Sequence, residues 1–127
     1  MTTVLTLPLL TATAVVSTDE DWDFVVPYTD DNDDPITLAG VEFDLYARPA
    51  AESPLVMFAY ASDAAYSWPV AGGTVVVNAN TVTVHVPQTV IATLAPGDFV
   101  ASFRARADGH KRRVLTVALT VEQGLTP

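Results

Sequence analysis

Leu94-Ala-Pro-Gly-Asp-Phe99, followed without a break by Val-Ala-Ser-Phe-Arg-Ala-Arg-Ala107, Asp108-Gly-His110 and then Val114-Leu-Thr-Val-Ala-Leu-Thr-Val121, decides the fold. Side chains along a strand point alternately to its two faces. Phe99, Phe103 and the intervening alanines therefore share one face, and Ser102, Arg104 and Arg106 share the other. Across the Asp-Gly-His turn, Leu115, Val117, Leu119 and Val121 fall on one side and Thr116 and Thr120 on the other. Both runs have the period of two that marks a half-buried strand, so the stretch predicts the closing hairpin of an all-β domain.

The same pattern extends back through the chain. Trp22, Phe24, Val26 and Tyr28 share one face, which suits a core-facing strand, and Pro27, which has no N–H for a ladder bond, predicts an edge strand or a bulge there. Asp30-Asp-Asn-Asp-Asp-Pro35 reads as a turn, with Asx side chains free to bond nearby backbone. From Val41 to Arg48 the residues Val41, Phe43, Leu45 and Ala47 face a core, and Glu42, Asp44, Tyr46 and Arg48 face water. A short strand is expected at Leu55–Tyr60, and a hairpin is expected from Thr74–Asn78 and Thr81–Val86 with Ala79-Asn80 at its tip. Val90, Ile91 and Leu94 stand at helical spacing and predict one helical turn crossing between sheets. Regularly spaced short strands with turns between them indicate an all-β, antiparallel sandwich or barrel of about seven to nine strands with one short helical turn.

A chain of 127 residues, half of them hydrophobic, fits a single domain (1–127) with a core of its own. It holds no cysteine, so disulfides and thiolate metal sites are excluded and the redox compartment is left open. The net charge of −9 argues against a surface that neutralises nucleic-acid phosphates. Charge is also unevenly placed: every charged residue before Arg48 is acidic, and the other basic residues lie between Arg104 and Arg113. Such an asymmetry can orient copies or neighbours through complementary potentials, although plain solvated surface is the simpler reading. Residues 1–16 carry no charge. They lack the basic start of a secretory signal, and Pro8 with several threonines interrupts any spanning helix, so neither export nor membrane insertion is expected. What remains is an uncharged N-terminal strand or arm that either joins its own sheet or adds to a neighbour's.

Side chains able to do chemistry are sparse. Asp30, Asn32 and Asp34 are spaced like the first ligands of a calcium loop, but the sharp-turn glycine and the distal bidentate Glu are absent, so a structural turn is the preferred reading. His85 and His110 stand in no ligand spacing. None of Ser17, Ser53, Ser62, Ser67 and Ser102 lies in a Gly-x-Ser-x-Gly elbow, and no Gly-rich phosphate loop is present. Phe58, Tyr60, Tyr66 and Trp68 offer an aromatic platform for a sugar, with core or interface packing the more common use of such residues. The expectation is a protein that is not an enzyme and needs no cofactor.

The order of segments resembles small Ig-like β-sandwich structural proteins of tailed bacteriophages and prophages, among them the amino-terminal domains of baseplate upper proteins. The residues that carry the resemblance are Asp21 to Tyr28, the turn Asp33-Asp-Pro-Ile-Thr-Leu-Ala-Gly40, the strand Val41 to Arg48, Gly73-Thr-Val-Val-Val77, Leu94-Ala-Pro-Gly-Asp-Phe99 and the final hairpin. It spans roughly Ala14 to Val121; Asp19-Glu-Asp21 stands where such proteins often have a Gly-Asp pair. The resemblance implies a structural component of the virion, in the tail, baseplate or head-tail region, assembled in the host bacterial cytoplasm and held by contacts with its own copies and with other virion proteins. Val4, Leu5 and Leu7 of the arm and Arg104, Arg106, Lys111, Arg112 and Arg113 of the hairpin are the interface candidates. The competing class is an Ig-like module that binds a host-surface glycan or protein receptor through loops such as Pro49 to Pro54 or Ala61 to Gly73, and a third is a calcium-stabilised accessory domain of a hydrolase.

Overall fold

The computed structural model describes residue 7 and residues 9–63, 67–68 and 72–124. Its elements are β1 (Leu10–Ser17), β2 (Trp22–Pro27), β3 (Glu42–Arg48), β4 (Phe58–Ala61), β5 (Ser67–Trp68), β6 (Thr74–Asn78), β7 (Thr81–Val86), α1 (Gln88–Ile91), β8 (Gly97–Ala107) and β9 (His110–Glu122). Two sheets form, a large one in the order β1-β9-β8-β3-β4-β5 and a small one in the order β2-β7-β6. The chain alternates between them, with α1 crossing from β7 in the small sheet to β8 in the large one. This is the Ig-like arrangement in its larger form, in which extra strands extend one sheet of the sandwich.

All pairings are antiparallel except β1 with β9, which run parallel with Leu10 opposite Leu115 and Ser17 opposite Glu122. The purely antiparallel expectation therefore gives way at this margin. β1 and β9 enter the sheet from the same end, and the register places Leu10, Ala14 and Val16 on the inward side with Leu115, Leu119 and Val121. The uncharged N-terminal segment accordingly joins its own sheet from Leu10 onward. Strand β4 begins at Phe58, later than the Leu55 expected, because residues up to Met57 leave the ladder after a single bond from the Met57 N–H to the Ala47 carbonyl.

Alternation predicts the inner faces well. Phe99, Ala101, Phe103 and Ala105 of β8 and Leu115, Val117, Leu119 and Val121 of β9 are all buried. Asp108 and Gly109 both take positive φ (52° and 78°) between the paired residues Ala107 and His110, the geometry a two-residue primed turn requires. In place of an inter-sheet disulfide, a chain of rings ties the layers together. Trp22 meets Phe24 at 4.8 Å and Phe58 at 6.3 Å, Phe24 meets Phe103 at 6.1 Å, Phe103 meets Phe43 at 5.6 Å, and Phe43 stacks on Tyr28 at 5.8 Å. Each such pair contributes about 0.5–1.5 kcal/mol beyond its buried area. Burial holds the Tyr28 hydroxyl well above the ordinary tyrosine range, and this oxygen has no hydrogen-bond partner among the described residues.

Candidate functional site

β1 and β2 are the terminal strands of their sheets and flank the same side of the sandwich. Between them lies a groove of about 430 Å³ whose lining includes Leu10, Ala14, Trp22, Phe24, Leu115 and Val117. Val15 on β1 and Val25 on β2 are more than half exposed beside it, as is Leu9 just before β1. Leu9 to Ser17 contains no charged residue, and the β1 register runs without a bulge. The devices that usually prevent a sheet edge from pairing with another chain, a lysine, an inward charge or a bulge, are thus missing from β1.

The outer face of the large sheet is different. Thr11, Thr116, Ser102, Tyr46, Ala59 and Trp68 stand side by side across its six strands. Trp68 is 56% exposed, and the Tyr46 ring lies under the guanidinium groups of Arg48 (5.0 Å) and Arg104 (5.5 Å). Asp44, expected to be wet, is fully buried on this face. Arg104 donates to Asp44 Oδ2 from Nη2 (2.8 Å), and Arg106 donates from Nε to Oδ1 (2.9 Å) and from Nη2 to Asp63 (2.7 Å). The bond to Asp63, together with Asp44, holds the Arg106 guanidinium above its ordinary range despite partial desolvation. Cross-strand register brings these groups together, since Glu42 is opposite Arg106 and Asp44 opposite Arg104.

The small sheet carries a second polar cluster that sequence spacing conceals. Asp23 is the antiparallel partner of His85, and Asp21 precedes it by two on the same side of the chain. His85 Nδ1 lies 2.5 Å from Asp23 Oδ1, and one donor atom from each of Asp21, Asp23 and His85 falls within 4.8 Å of the others. Asp21 Oδ1 also accepts the Gln88 N–H (2.6 Å) at the start of α1. His85 and Asp23 are 62 residues apart, and only the β2–β7 register joins them.

The remaining sequence candidates fall as follows. Asp30 Oδ1 accepts the N–H groups of Asn32 (2.9 Å) and Asp34 (3.0 Å), so the proposed first ligand closes an Asx turn. Phe58 and Tyr60 point into the core while Trp68 points outward, so these three form no common platform, and Tyr66 lies outside the described residues. Val4 and Leu5 also lie outside them. Leu7, expected at an interface, is 1% exposed, and its carbonyl accepts the Arg112 Nε–H (3.0 Å). Arg104 and Arg106, expected to face a partner, are engaged with Asp44 within the chain, whereas Lys111 and Arg113 are exposed. The acidic turn 30–34 lies at the hairpin end of the sandwich, because its loop leads into Glu42 opposite Arg106. The β1–β2 turn with Asp19 and Glu20 lies at the other end, bonded to Glu122 through the Thr18 N–H.

No family model matches the chain, and no curated protein matches it in sequence. Among solved structures it is similar to the M1 domain from titin, with a TM-score of 0.49 and 9% identity over 93% of this chain and 95% of that one. Among the described residues no helix is long and apolar enough to cross a membrane.

Proposed function

We propose that this chain is a non-enzymatic assembly module, a structural component of a tailed-phage virion that works through contacts with its own copies and with neighbouring virion proteins. The single observation that supports the assembly role is the uncharged, unprotected edge strand β1 beside the apolar groove it shares with β2. An edge of this kind binds through main-chain hydrogen bonds, while the groove takes alternate side chains of the added strand. The phage setting rests on the sequence resemblance, and with it go a place in the tail, baseplate or head-tail region and assembly in the bacterial cytoplasm. Exposed Lys111 and Arg113 would orient a neighbour rather than supply most of the affinity.

Light scattering coupled to size-exclusion chromatography, run on the full chain and on a Thr13→Lys, Val15→Lys variant, tests the assembly role. Both positions are exposed, and far-UV circular dichroism of the variant checks that it keeps its fold. The expected result is a multimer, or a complex with a virion protein, that is lost in the variant. A monomer in both forms, together with normal incorporation of the variant into particles, contradicts the proposal.

The receptor-binding reading is favoured by one observation, the exposed Trp68 in line with the arginine-flanked Tyr46, because Trp, Tyr and Arg dominate binding hot spots. Loss of host attachment in Trp68→Ala, with assembly intact, supports it over the scaffold role.

A further inference from the structure

We propose that Asp21, Asp23 and His85 form a binding site for a first-row divalent cation of the zinc type, independent of the assembly role. Three observations lead there. The first is geometric: one oxygen from each carboxylate and one imidazole nitrogen all lie within 4.8 Å of one another, so side-chain rotation alone brings them within the roughly 4.4 Å that an ion about 2.0–2.2 Å from each allows. The Nδ1 of His85 and Oδ1 of Asp23, at 2.5 Å, are closer than ligands of one ion would be, so the ion enters as the Asp23 side chain, 60% exposed, swings towards solvent.

The second observation is charge. No lysine or arginine lies on β2, β6 or β7, so nothing on this sheet except His85 answers the two carboxylates. Asp44 on the other sheet has two guanidinium groups. The third is support around the ligands. The Gln88 N–H holds Asp21 Oδ1 at 2.6 Å, and the Gln88 side-chain amide donates to the Thr18 carbonyl at 2.8 Å, so the turn that carries Asp21 is fixed while its second oxygen stays available. Such outer contacts orient a ligand before the ion arrives.

The donor set selects the metal. Imidazole with carboxylates suits zinc and its first-row neighbours, whereas calcium takes six to eight oxygens. Three protein ligands leave the remaining positions to water. Because Asp23 lies on β2 and His85 on β7, the ion also fastens the edge strand β2 to its neighbour.

The test is nitrogen-15 NMR of the histidine rings in the full chain, titrated with zinc chloride and separately with calcium chloride, alongside thermal unfolding with each salt. His110, in the β8–β9 turn, is the internal control. The expected result is a selective shift of the His85 ring with zinc, a rise of a few degrees in Tm with zinc and none with calcium, loss of both effects in Asp23→Asn and loss of the Tm gain in His85→Gln. Asp21→Asn keeps an oxygen for the Gln88 N–H, so its loss of zinc binding reports ligation rather than damage to the turn. Equal shifts of both histidines, no response at His85, or the same zinc-dependent Tm gain in His85→Gln overturns the proposal.

Discussion

The outer faces of the two sheets treat acidic residues in opposite ways. On the large sheet Asp44 is fully buried, and two arginines from the neighbouring strand neutralise it, one of them extending to Asp63. On the small sheet Asp21 and Asp23 are exposed, and among the described residues the one basic side chain beside them is a histidine; Asp21 also accepts the Gln88 N–H. A buried carboxylate is tolerable only when charge and hydrogen bonds replace its lost water, so Asp44 and its arginines form a closed unit that stiffens β3 against β8. Exposed carboxylates have water as a partner and are free to exchange it for something else. The Asp44 unit of the large sheet is therefore closed, whereas the carboxylates of the small sheet stay open to solvent.

The contrast can be tested by substitution, beginning with what both faces share. Phe103 touches Phe24 of the small sheet and Phe43 of the large one, so Phe103→Ala removes the link between layers and is expected to cost about 3–5 kcal/mol in denaturant unfolding. Asp44→Asn keeps the shape but removes the charge between two partly exposed arginines, and a loss of about 1–3 kcal/mol is expected by the same measurement. Tyr28→Phe retains the stack on Phe43 and removes a buried hydroxyl without a partner, so it is expected to be neutral or to gain up to about 1 kcal/mol. Burial raises the folded-state pKa of Tyr28 and of Tyr60, so in alkali the unfolded chain releases protons that the folded chain keeps. Stability should then fall as pH rises above about 10, the ordinary tyrosine value, and fall less steeply in Tyr28→Phe. The smallest effect is expected for Asp23→Asn in metal-free buffer, within about 0.5 kcal/mol of the parent, because both partners of the pair it breaks are well exposed.

Much of this was legible in the sequence, and what was hidden has a common cause. The period of two in Phe99–Ala107 and Leu115–Val121 identifies the core faces of β8 and β9, and Pro27 marks β2 as an edge strand. Asp44 misleads because alternation assigns it to the outer side, and an outer side is wet only where nothing folds across it. The groups that cover it, Arg104 and Arg106, come from a strand some sixty residues later. The trio of Asp21, Asp23 and His85 is missed for the same reason, since ligand spacing along the chain cannot reveal partners joined by cross-strand register. Leu7 and β1 were open because an uncharged β-prone segment suits its own sheet and a neighbour's equally well, and the parallel bed offered by β9 exists only once the sandwich has formed.

Thermal unfolding of the parent, Asp44→Asn and Asp23→Asn side by side in buffer containing a chelator tests the central contrast most directly. The account predicts a Tm several degrees lower for Asp44→Asn and nearly unchanged for Asp23→Asn. Equal losses in the two variants, or a larger loss in Asp23→Asn, would contradict it.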